Sequence, residues 1–349
     1  DMIRSIIEKP INEQLSYKEV REASEEIMAG KVDDINIGAF LVVLRIRGEE
    51  VDILRAVYDA MLKYAITIRP QINGRLIDTC GTGGDKLRTF NISTAAAFVA
   101  SVYTYVAKHG NRSSRGYAGS ADILEALGYN LKTEPNKVKE SIEQLRIGFL
   151  FAPLFHPAMR YASTARKALG IRTIFNILGP IANPCNIDAQ IVGVSELSLM
   201  QKVIELLKSI GRREAMVFHS LNGIDELSIS SMNRILWLED GINVKELSLD
   251  PKTLGIMDRD ENIIIKSKEE AITAFLNALN GYDKAKSNIV SLNAAAALIV
   301  ANITKRFDEA LEMAREAINN GKAYEQLRLL IKRYGDYSKL EELEKICLS

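Results

Sequence analysis

The sequence predicts an α/β protein in which a helical N-terminal segment precedes a larger α/β region. Residues 1–70 show apolar side chains at helical spacing, whereas from Arg75 onward short apolar strands alternate with amphipathic helices. A glycine-rich turn at residues 81–85 joins the first predicted strand to the helix that follows. Ligands of open α/β sheets bind beyond the carboxyl ends of the strands, so this turn is the first candidate site.

Three helices are predicted in the N-terminal segment. Ser16 and Glu19 form a capping-box pattern, and apolar residues then recur at helical spacing until Gly30. A second helix is predicted over residues 35–46, and a third ends before Pro70. Three short helices cannot bury their apolar faces alone, which predicts packing against another part of the chain or a second subunit.

Strands and helices are predicted to alternate after this segment. The predicted strands are residues 75–80, 103–108, 148–152, 189–194 and 215–218, with a β-rich patch at 235–238 and 245–249. The predicted helices follow the glycine turn, begin with Ser120 as N-cap, run from His156 to Leu169, lie within 173–185, and end at Ile210. Three C-terminal helices are predicted to begin near Lys268, Lys284 and Asp308.

Composition restricts the classes of function. The 349 residues include 45 Lys plus Arg and 45 Asp plus Glu, a balance that predicts neither a nucleic-acid partner nor an anionic membrane surface. The longest apolar run, residues 294–301, is too short to span a bilayer. Cys80, Cys185 and Cys347 are widely separated, and no signal-peptide pattern is seen, which together predict a cytoplasmic protein.

The glycine-rich turn is a candidate phosphate-binding loop. Its glycines permit positive φ and close approach of a ligand, and N-cap residue types precede the apolar helix. The residues concerned are Gly81, Gly83, Gly84, Asn91, Ser93 and Thr94. Backbone N–H groups at a helix N-terminus bind anions. The pattern is neither the Rossmann fingerprint nor the Walker A loop, so a purely structural turn is the alternative.

Two other polar groups follow predicted strands. The first is Lys108, His109, Asn111 and Arg112, which offers donors to an anionic substrate, although each residue alone also suits a solvated loop. The second, residues 225–226, is an acidic pair.

Asp225 and Glu226, with Asp85 and Ser93, suit Mg²⁺, which takes one or two carboxylates plus phosphate oxygens. An acidic surface turn is the alternative. Arg166 is either a surface cation or the partner of a carboxylate ligand. The three histidines lack the spacing of a zinc site.

Several stretches together resemble the anthranilate phosphoribosyltransferase family. They are residues 81–85, 91–94, 108–112, 119–122, 156–157, 172–180, 183–184 and 223–228, with Arg166. The resemblance implies a small all-helical N-terminal domain plus a larger α/β domain with a mostly parallel central sheet flanked by helices. Residues 1–72 would form the helical domain, with 156–184 returning to it. Residues 73–155 and 185–349 would form the α/β domain, which binds phosphoribosyl pyrophosphate.

The resemblance also implies a reaction and its site residues. The 5-phosphoribosyl group would pass from 5-phosphoribosyl-1-pyrophosphate to the amine of anthranilate, with inversion at the ribose C1, in a homodimer formed through the helical domain. The expected donor-binding residues are Gly81, Thr82, Gly83, Gly84, Asp85, Thr89, Asn91, Ser93, Thr94, Lys108 and Ser120. The expected anthranilate-binding residues are His109, Asn111, His156, Arg166 and Gly179. Lys108, Asp225 and Glu226 are expected to be catalytic, and Ser93, Asp225 and Glu226 to hold two Mg²⁺ ions.

The loop at residues 113–119 departs from the family pattern. Tyr117 takes the place of a lysine, and Arg115 and Ala118 take the places of serines. Our hypothesis is that Lys86, Arg88 or Arg115 replaces the missing positive charge over the phosphates.

The sequence is also compatible with two alternative functions. The first is a pyrimidine nucleoside phosphorylase of similar architecture, which would use free phosphate. Residues 108–112 and the pair Asp225–Glu226 argue against it. The second is a non-catalytic nucleic-acid-binding paralogue, which the balanced charge argues against.

Overall fold

A computed structural model describes residues 1–348 and shows a group of N-terminal helices beside a seven-stranded sheet with helices on both faces. The strands are β1 (Leu76–Gly81), β2 (Tyr105–Gly110), β3 (Ile147–Phe151), β4 (Ala189–Gly193), β5 (Glu214–Ser220), β6 (Asn233–Glu239) and β7 (Asn243–Leu249). The helices up to β3 are α1 (Met2–Glu8), α2 (Tyr17–Met28), α3 (Asp34–Arg47), α4 (Val51–Lys63), α5 (Ile92–Ala100), α6 (Ser120–Ala126) and α7 (Pro135–Leu145). Those after β3 are α8 (Ala152–Phe155), α9 (Arg160–Leu169), α10 (Ile174–Leu178), α11 (Met200–Ser209), α12 (Lys268–Asn280), α13 (Lys284–Val300), α14 (Phe307–Asn319), α15 (Lys322–Tyr334) and α16 (Tyr337–Cys347).

The sheet is mostly parallel, as predicted. Its order is β3-β2-β1-β4-β5-β6-β7, and the pairs among β1 to β5 are parallel, whereas β6 and β7 are antiparallel. The chain moves outward from β1 to β3 and then returns to place β4 on the other side of β1. This reversal makes a topological switch point between β1 and β4, where the crevice of an open α/β sheet lies.

Two large apolar clusters cover the faces of the sheet. On one face, α5, α12, α13 and α15 contribute to a cluster that includes Phe98 and Phe275, whose rings meet edge to face. On the other face, α1 to α4 share a cluster with α9, α10 and α11. Buried Phe40 of α3 and Phe175 of α10 belong to this second cluster, so helices distant in sequence share one core with the N-terminal helices.

Most predicted elements are confirmed, and the differences lie in the helices. The C-terminal region has five helices rather than three, because α15 and α16 follow the three predicted ones. Three further helices, α1, α7 and the short α8, were not predicted. The N-cap of α6 is Gly119 rather than Ser120, and the Asp122 carboxylate accepts a hydrogen bond from the Gly119 N–H at 2.8 Å. Within residues 1–348 no helix is long and apolar enough to cross a membrane.

Candidate active site

The glycine-rich turn lies at the carboxyl end of β1, next to the switch point. The backbone N–H of Thr82 donates to the carbonyl of Gly193, the last residue of β4, at 2.9 Å. Gly83 and Gly84 have φ of 71° and 77°, the left-handed region that glycine occupies without strain. The turn therefore crosses the crevice between the two strands with its main chain open to a ligand.

The acidic loop packs directly onto this turn. The Asp225 carboxylate accepts a hydrogen bond from the backbone N–H of Gly83 at 2.8 Å. A Cβ on Gly81 would lie 2.3 Å from Asp225 Oδ2, and one on Gly193 would lie 1.7 Å from the Asp225 carbonyl oxygen. Glycine is therefore required at both strand ends because the acidic loop occupies the space of a side chain.

Asn293 of α13 fixes the acidic loop from behind. Its side-chain oxygen accepts from the N–H of Leu227 at 2.9 Å, and its amide donates to the Leu227 carbonyl at 3.0 Å. Through Asn293, α13 thus fixes both the N–H and the carbonyl of Leu227, the residue that follows the acidic pair.

Three carboxylates crowd around the turn. Burial, with a smaller contribution from the charge of Asp225, raises the pKa of Asp85 to about 7. Burial also raises the pKa of Asp225, and burial together with the Asp225 charge raises that of Glu226 well above its usual range. Lys108 is the cation that opposes these shifts at Asp225 and Glu226. Buried, mutually repelling carboxylates are the environment that a divalent cation stabilises.

The donor set fits magnesium rather than zinc. Within residues 1–348 no group of three or more His, Cys, Asp or Glu side chains is arranged to hold a metal ion by itself. Magnesium needs fewer protein ligands because it keeps several waters and shares substrate phosphate oxygens. Asp225 and Glu226 match that requirement, and the Ser93 backbone at the start of α5 lies close enough to the Glu226 carboxyl to lower its pKa against the effect of burial.

The start of α5 and the loop before it complete the wall of the crevice. Asn91 is the N-cap of α5, but its side chain donates to the Ala118 carbonyl at 2.9 Å, and its amide oxygen is buried without a partner among the described residues. The Ser93 carbonyl accepts from the Thr79 hydroxyl at 2.7 Å, and Thr94 is buried. Near the turn, the Thr89 side chain lowers the pKa of the Asp85 carboxyl against the larger effect of burial.

Lys108 is buried at the end of β2, next to β1. Its Nζ donates to the carbonyl of Thr79, and its charge acts on Asp78, Asp225 and Glu226. The ammonium group therefore lies among carboxylates near the carboxyl ends of the strands. Ser120 lies beyond β2, where its hydroxyl donates weakly to the Asn111 carbonyl at 3.5 Å.

His109 and His156 form a neutral pair beside Lys108. Their ring centroids are 5.4 Å apart, and both residues are buried. Burial lowers the pKa of His109 well below its usual range, helped by His156 and Lys108, while the Gly179 backbone opposes the shift. Burial likewise lowers the pKa of His156, whose Nε2 lies 2.7 Å from the Ala182 carbonyl. Among the described residues the Nε2 of His109 has no hydrogen-bond partner, which leaves it for a ligand.

Arg166 and Asn111, the remaining polar residues expected to bind anthranilate, make contacts of their own. The Arg166 guanidinium lies over the Phe175 ring, 5.4 Å from its centroid, and burial alone lowers its pKa. Asn111 is exposed, and its side chain accepts from the backbone N–H of Arg112 at 2.8 Å. No salt bridge joins this half-buried guanidinium to an acidic side chain in residues 1–348, which suits it to an anionic ligand.

The family comparisons agree along the whole chain. Residues 73–324 match the model of the glycosyl transferase family a/b domain, and residues 1–65 match that of its helical bundle domain. The anthranilate phosphoribosyltransferase of Nitrosopumilus maritimus is 43% identical over 98% of this chain and 98% of its own. That of Petrotoga mobilis is 42% identical over 91% of this chain and 93% of its own.

The chain belongs to the anthranilate phosphoribosyltransferase family.

Solved structures of the family share the architecture. The crystal structure of the anthranilate phosphoribosyltransferase from Thermus thermophilus has a TM-score of 0.86 and 36% identity, over 98% of this chain and 99% of that one. The Saccharomyces cerevisiae enzyme in complex with PRPP and Mg has a TM-score of 0.85 over 97% of this chain and 98% of that one. Its identity is 24%, so it shows the shared fold alone.

The three cations proposed to compensate for the altered loop at residues 113–119 contact different parts of the molecule. Arg115 donates to the Gly170 carbonyl at the C-terminus of α9, and Arg88 lies over the Tyr117 ring at 5.0 Å. The Lys86 stem lies against Gly223, where a Cβ would be 3.2 Å from its Cδ. Of the three, Lys86 is therefore the one that packs against the acidic loop.

Arg112 is likewise committed to local contacts. It pairs with Asp122 at 3.3 Å and Glu125 at 2.8 Å on α6. The guanidinium that was expected to offer donors to a substrate is thus engaged in salt bridges to α6.

Sequence reasoning missed two buried polar residues of this region. Asn183 donates to the Asp78 carboxylate at 2.9 Å, next to Ala182, whose carbonyl contacts His156. The available signal was the single carboxylate inside the strand that precedes the glycine turn, since charged residues are rarely fully buried without a partner.

Proposed function

We propose that this chain transfers the 5-phosphoribosyl group of 5-phosphoribosyl-1-pyrophosphate to the amine of anthranilate, giving N-(5-phosphoribosyl)anthranilate and pyrophosphate. Its relatives of that name, at up to 43% identity along nearly the full chain, support the assignment. The observation that carries it is the contact between the turn and the acidic loop, Gly83 to Asp225 at 2.8 Å, with Lys108 acting both on Asp225 and on the neutral His109. One end of this crevice suits phosphates and the other suits a small aromatic acid.

The donor is proposed to lie on the turn and the start of α5. The residues proposed for it are Gly81, Thr82, Gly83, Gly84, Asp85, Thr89, Asn91, Ser93, Thr94, Lys108 and Ser120. Backbone N–H groups of the turn and the N-terminus of α5 attract phosphate oxygens. Lys108 is placed to stabilise the negative charge that develops on the leaving pyrophosphate.

Magnesium is part of the proposal. Asp225, Glu226 and Ser93 would hold it, and we propose two ions per subunit. Bound Mg²⁺ would offset the charge of the pyrophosphate. The chain itself contributes the acidic loop, which Asn293 holds in place through Leu227.

Anthranilate is proposed to bind His109, Asn111, His156, Arg166 and Gly179. The Arg166 guanidinium is suited to fork onto the substrate carboxylate. Neutral His109 can share a hydrogen bond with the substrate through its unpartnered Nε2. An aromatic amine is already a competent nucleophile, so these residues mainly position it. Attack opposite the pyrophosphate would invert the configuration at the ribose C1.

The proposal extends to the domains and the assembly of the chain. We propose a helical domain of residues 1–72 with 156–184, and an α/β domain of residues 73–155 and 185–349. A homodimer through the helical domain is supported by an apolar groove of about 560 Å³ between α3 and α9, beside Ile35, which is 84% exposed. A cytoplasmic location is supported by three free cysteines.

The test is the loss of anthranilate fluorescence in the presence of phosphoribosyl pyrophosphate, with and without Mg²⁺. We expect a loss that requires both the donor and the metal. Well-folded protein that leaves the fluorescence unchanged would refute the proposal, and nucleosides with phosphate would then be the next substrates to test.

A further inference from the structure

Asp78 is a buried carboxylate that none of the roles above uses. It lies on β1 at the centre of the sheet and is 0% exposed. Its Oδ2 accepts a hydrogen bond from the side-chain amide of Asn183 at 2.9 Å, and its Oδ1 accepts one from the backbone N–H of Thr79 at 2.7 Å. A carboxylate in the apolar interior of a sheet is costly, so its partners indicate what it does.

Asn183 joins this carboxylate to the segment that borders the two histidines. Its amide also donates to the Ala107 carbonyl of β2 at 2.9 Å, and its oxygen accepts from the Cys185 N–H at 2.8 Å. The residue before it, Ala182, places its carbonyl 2.7 Å from the Nε2 of His156. Asp78 and Asn183 thus fasten the segment 179–185, where the chain leaves α10 and returns to the sheet, against the end of β2.

The same carboxylate faces the end of β2 directly. Burial raises the pKa of Asp78 to about 6, and the charge of Lys108, the Asn183 amide and the backbone N–H groups of Thr79 and His109 oppose that shift. Lys108 in turn donates to the carbonyl of Thr79, the neighbour of Asp78. The Asp78 side chain therefore lies close to two site residues: Lys108, which is proposed to bind phosphoribosyl pyrophosphate, and His109, which is proposed to bind anthranilate.

We propose that Asp78 is a positioning residue for the transfer reaction, which holds the acceptor pocket through Asn183 and orients Lys108 through its negative charge. This inference rests on the proposed function. Asp78 does not need to touch either substrate. Its effect passes through the 179–185 segment and the end of β2, where small displacements of His109, His156 or Lys108 would misalign the amine and the ribose.

The test compares Asp78→Asn with wild type in steady-state kinetics for both substrates. The change keeps the shape of the side chain but removes its charge and turns one acceptor atom into a donor. We expect kcat/KM for anthranilate to fall about 10- to 100-fold, through a higher KM and a lower kcat, because misplacement near 1 Å has that order of effect. The KM for phosphoribosyl pyrophosphate should change less.

Glu214→Gln is the matched control. Glu214 is also buried in the sheet, on β5, where it pairs with Arg75 at 2.7 Å and accepts from the Trp237 indole at 2.9 Å, away from the crevice. It should lose stability without a rise in the KM for anthranilate. If Glu214→Gln raises that KM as much as Asp78→Asn, or if Asp78→Asn keeps wild-type constants, the inference is wrong.

A second variant covers the case in which Asp78→Asn does not fold. Asn183→Ser leaves the carboxylate in place and removes the amide, so it should also raise the KM for anthranilate. A wild-type KM in a folded Asn183→Ser protein would overturn the positioning role. An inactive wild type would overturn the proposed function and this inference together, whereas active wild type with unaffected variants would overturn this inference alone.

Discussion

The backbone N–H of Gly83 donates a hydrogen bond to the carboxylate of Asp225 at 2.8 Å, across the crevice between β1 and β4. This contact makes the glycine turn and the acidic loop one unit, although they lie far apart in the sequence. A change to the carboxylate is therefore expected to affect both the metal and the shape of the turn.

Asp225→Asn tests this unit. We expect kcat/KM for phosphoribosyl pyrophosphate to fall about 10- to 100-fold, the range that the loss of a hydrogen bond to a charged group gives. The Mg²⁺ concentration needed for half-maximal activity should rise, which a metal titration of the initial rate measures. Asp240→Asn, in the exposed turn between β6 and β7, is the control and should leave both quantities unchanged.

Arg166→Ala is expected to raise the KM for anthranilate about 10- to 100-fold, because a charged hydrogen bond to the substrate carboxylate would be lost. The donor KM should stay the same. Lys167→Ala removes an exposed cation from the next position of α9 and serves as the control in the same fluorescence assay. Equal effects of the two variants would show that Arg166 acts through the general charge of the helix.

Lys86→Ala and Arg115→Ala separate the two explanations for the altered loop. Lys86 packs against the acidic loop, so its removal should raise the donor KM several-fold. Arg115 is bound to the Gly170 carbonyl, so its removal should change the donor KM less than about twofold. The donor KM of each variant is measured at saturating anthranilate. A larger effect from Arg115 would place that side chain over the phosphates during turnover.

The raised pKa of Asp78 predicts a dependence of stability on pH. Because burial raises this pKa from 3.8 to about 6, the folded protein binds more protons than the unfolded chain between these values. The contribution of Asp78 to stability therefore falls as the pH rises from about 4 to about 6. Asn cannot ionise, so Asp78→Asn does not lose stability in this way. As the pH rises through this range, its free energy of unfolding should increase relative to that of wild type, by about 1.4 kcal/mol for each unit by which the pKa is raised. Urea denaturation across this pH range measures the difference, and a constant difference would contradict the prediction.

Ile35→Glu tests the proposed dimer. The side chain is 84% exposed beside the groove between α3 and α9, so its replacement should not disturb the core of the subunit. Loss of its burial between subunits should weaken association about 100-fold or more, which sedimentation velocity detects as a shift toward monomer. Ile242→Glu, at another exposed position between β6 and β7 (65%), should leave the distribution unchanged.

Local patterns predicted the elements that form the crevice. The apolar run of β1, the glycines after it and the small apolar residues of α5 each have a direct physical signature. The same rules miss α15, although Leu327, Leu330 and Ile331 recur at helical spacing and are buried. This signature is local, so α15 was predictable from the sequence.

Other features depend on contacts between distant parts of the chain. Ser120 has the residue type of an N-cap, yet Gly119 takes that position, where a Cβ would lie 2.5 Å from the Asn111 carbonyl oxygen. The direction of Arg115 depends on α9, which comes much later in the sequence. The partnership of Asp78 with Asn183 likewise requires the strand order, which local patterns do not fix.

The shared core of α1 to α4 with α9 and α10 has a consequence for biosynthesis of the chain. On the ribosome, the N-terminal helices emerge first, but the helices that cover part of their apolar surface are made only after β1, β2 and β3. Part of the apolar surface of α1 to α4 therefore stays exposed to solvent while the central strands are translated. A slow codon stretch or a chaperone is expected to matter most in this interval, before α10 has left the exit tunnel.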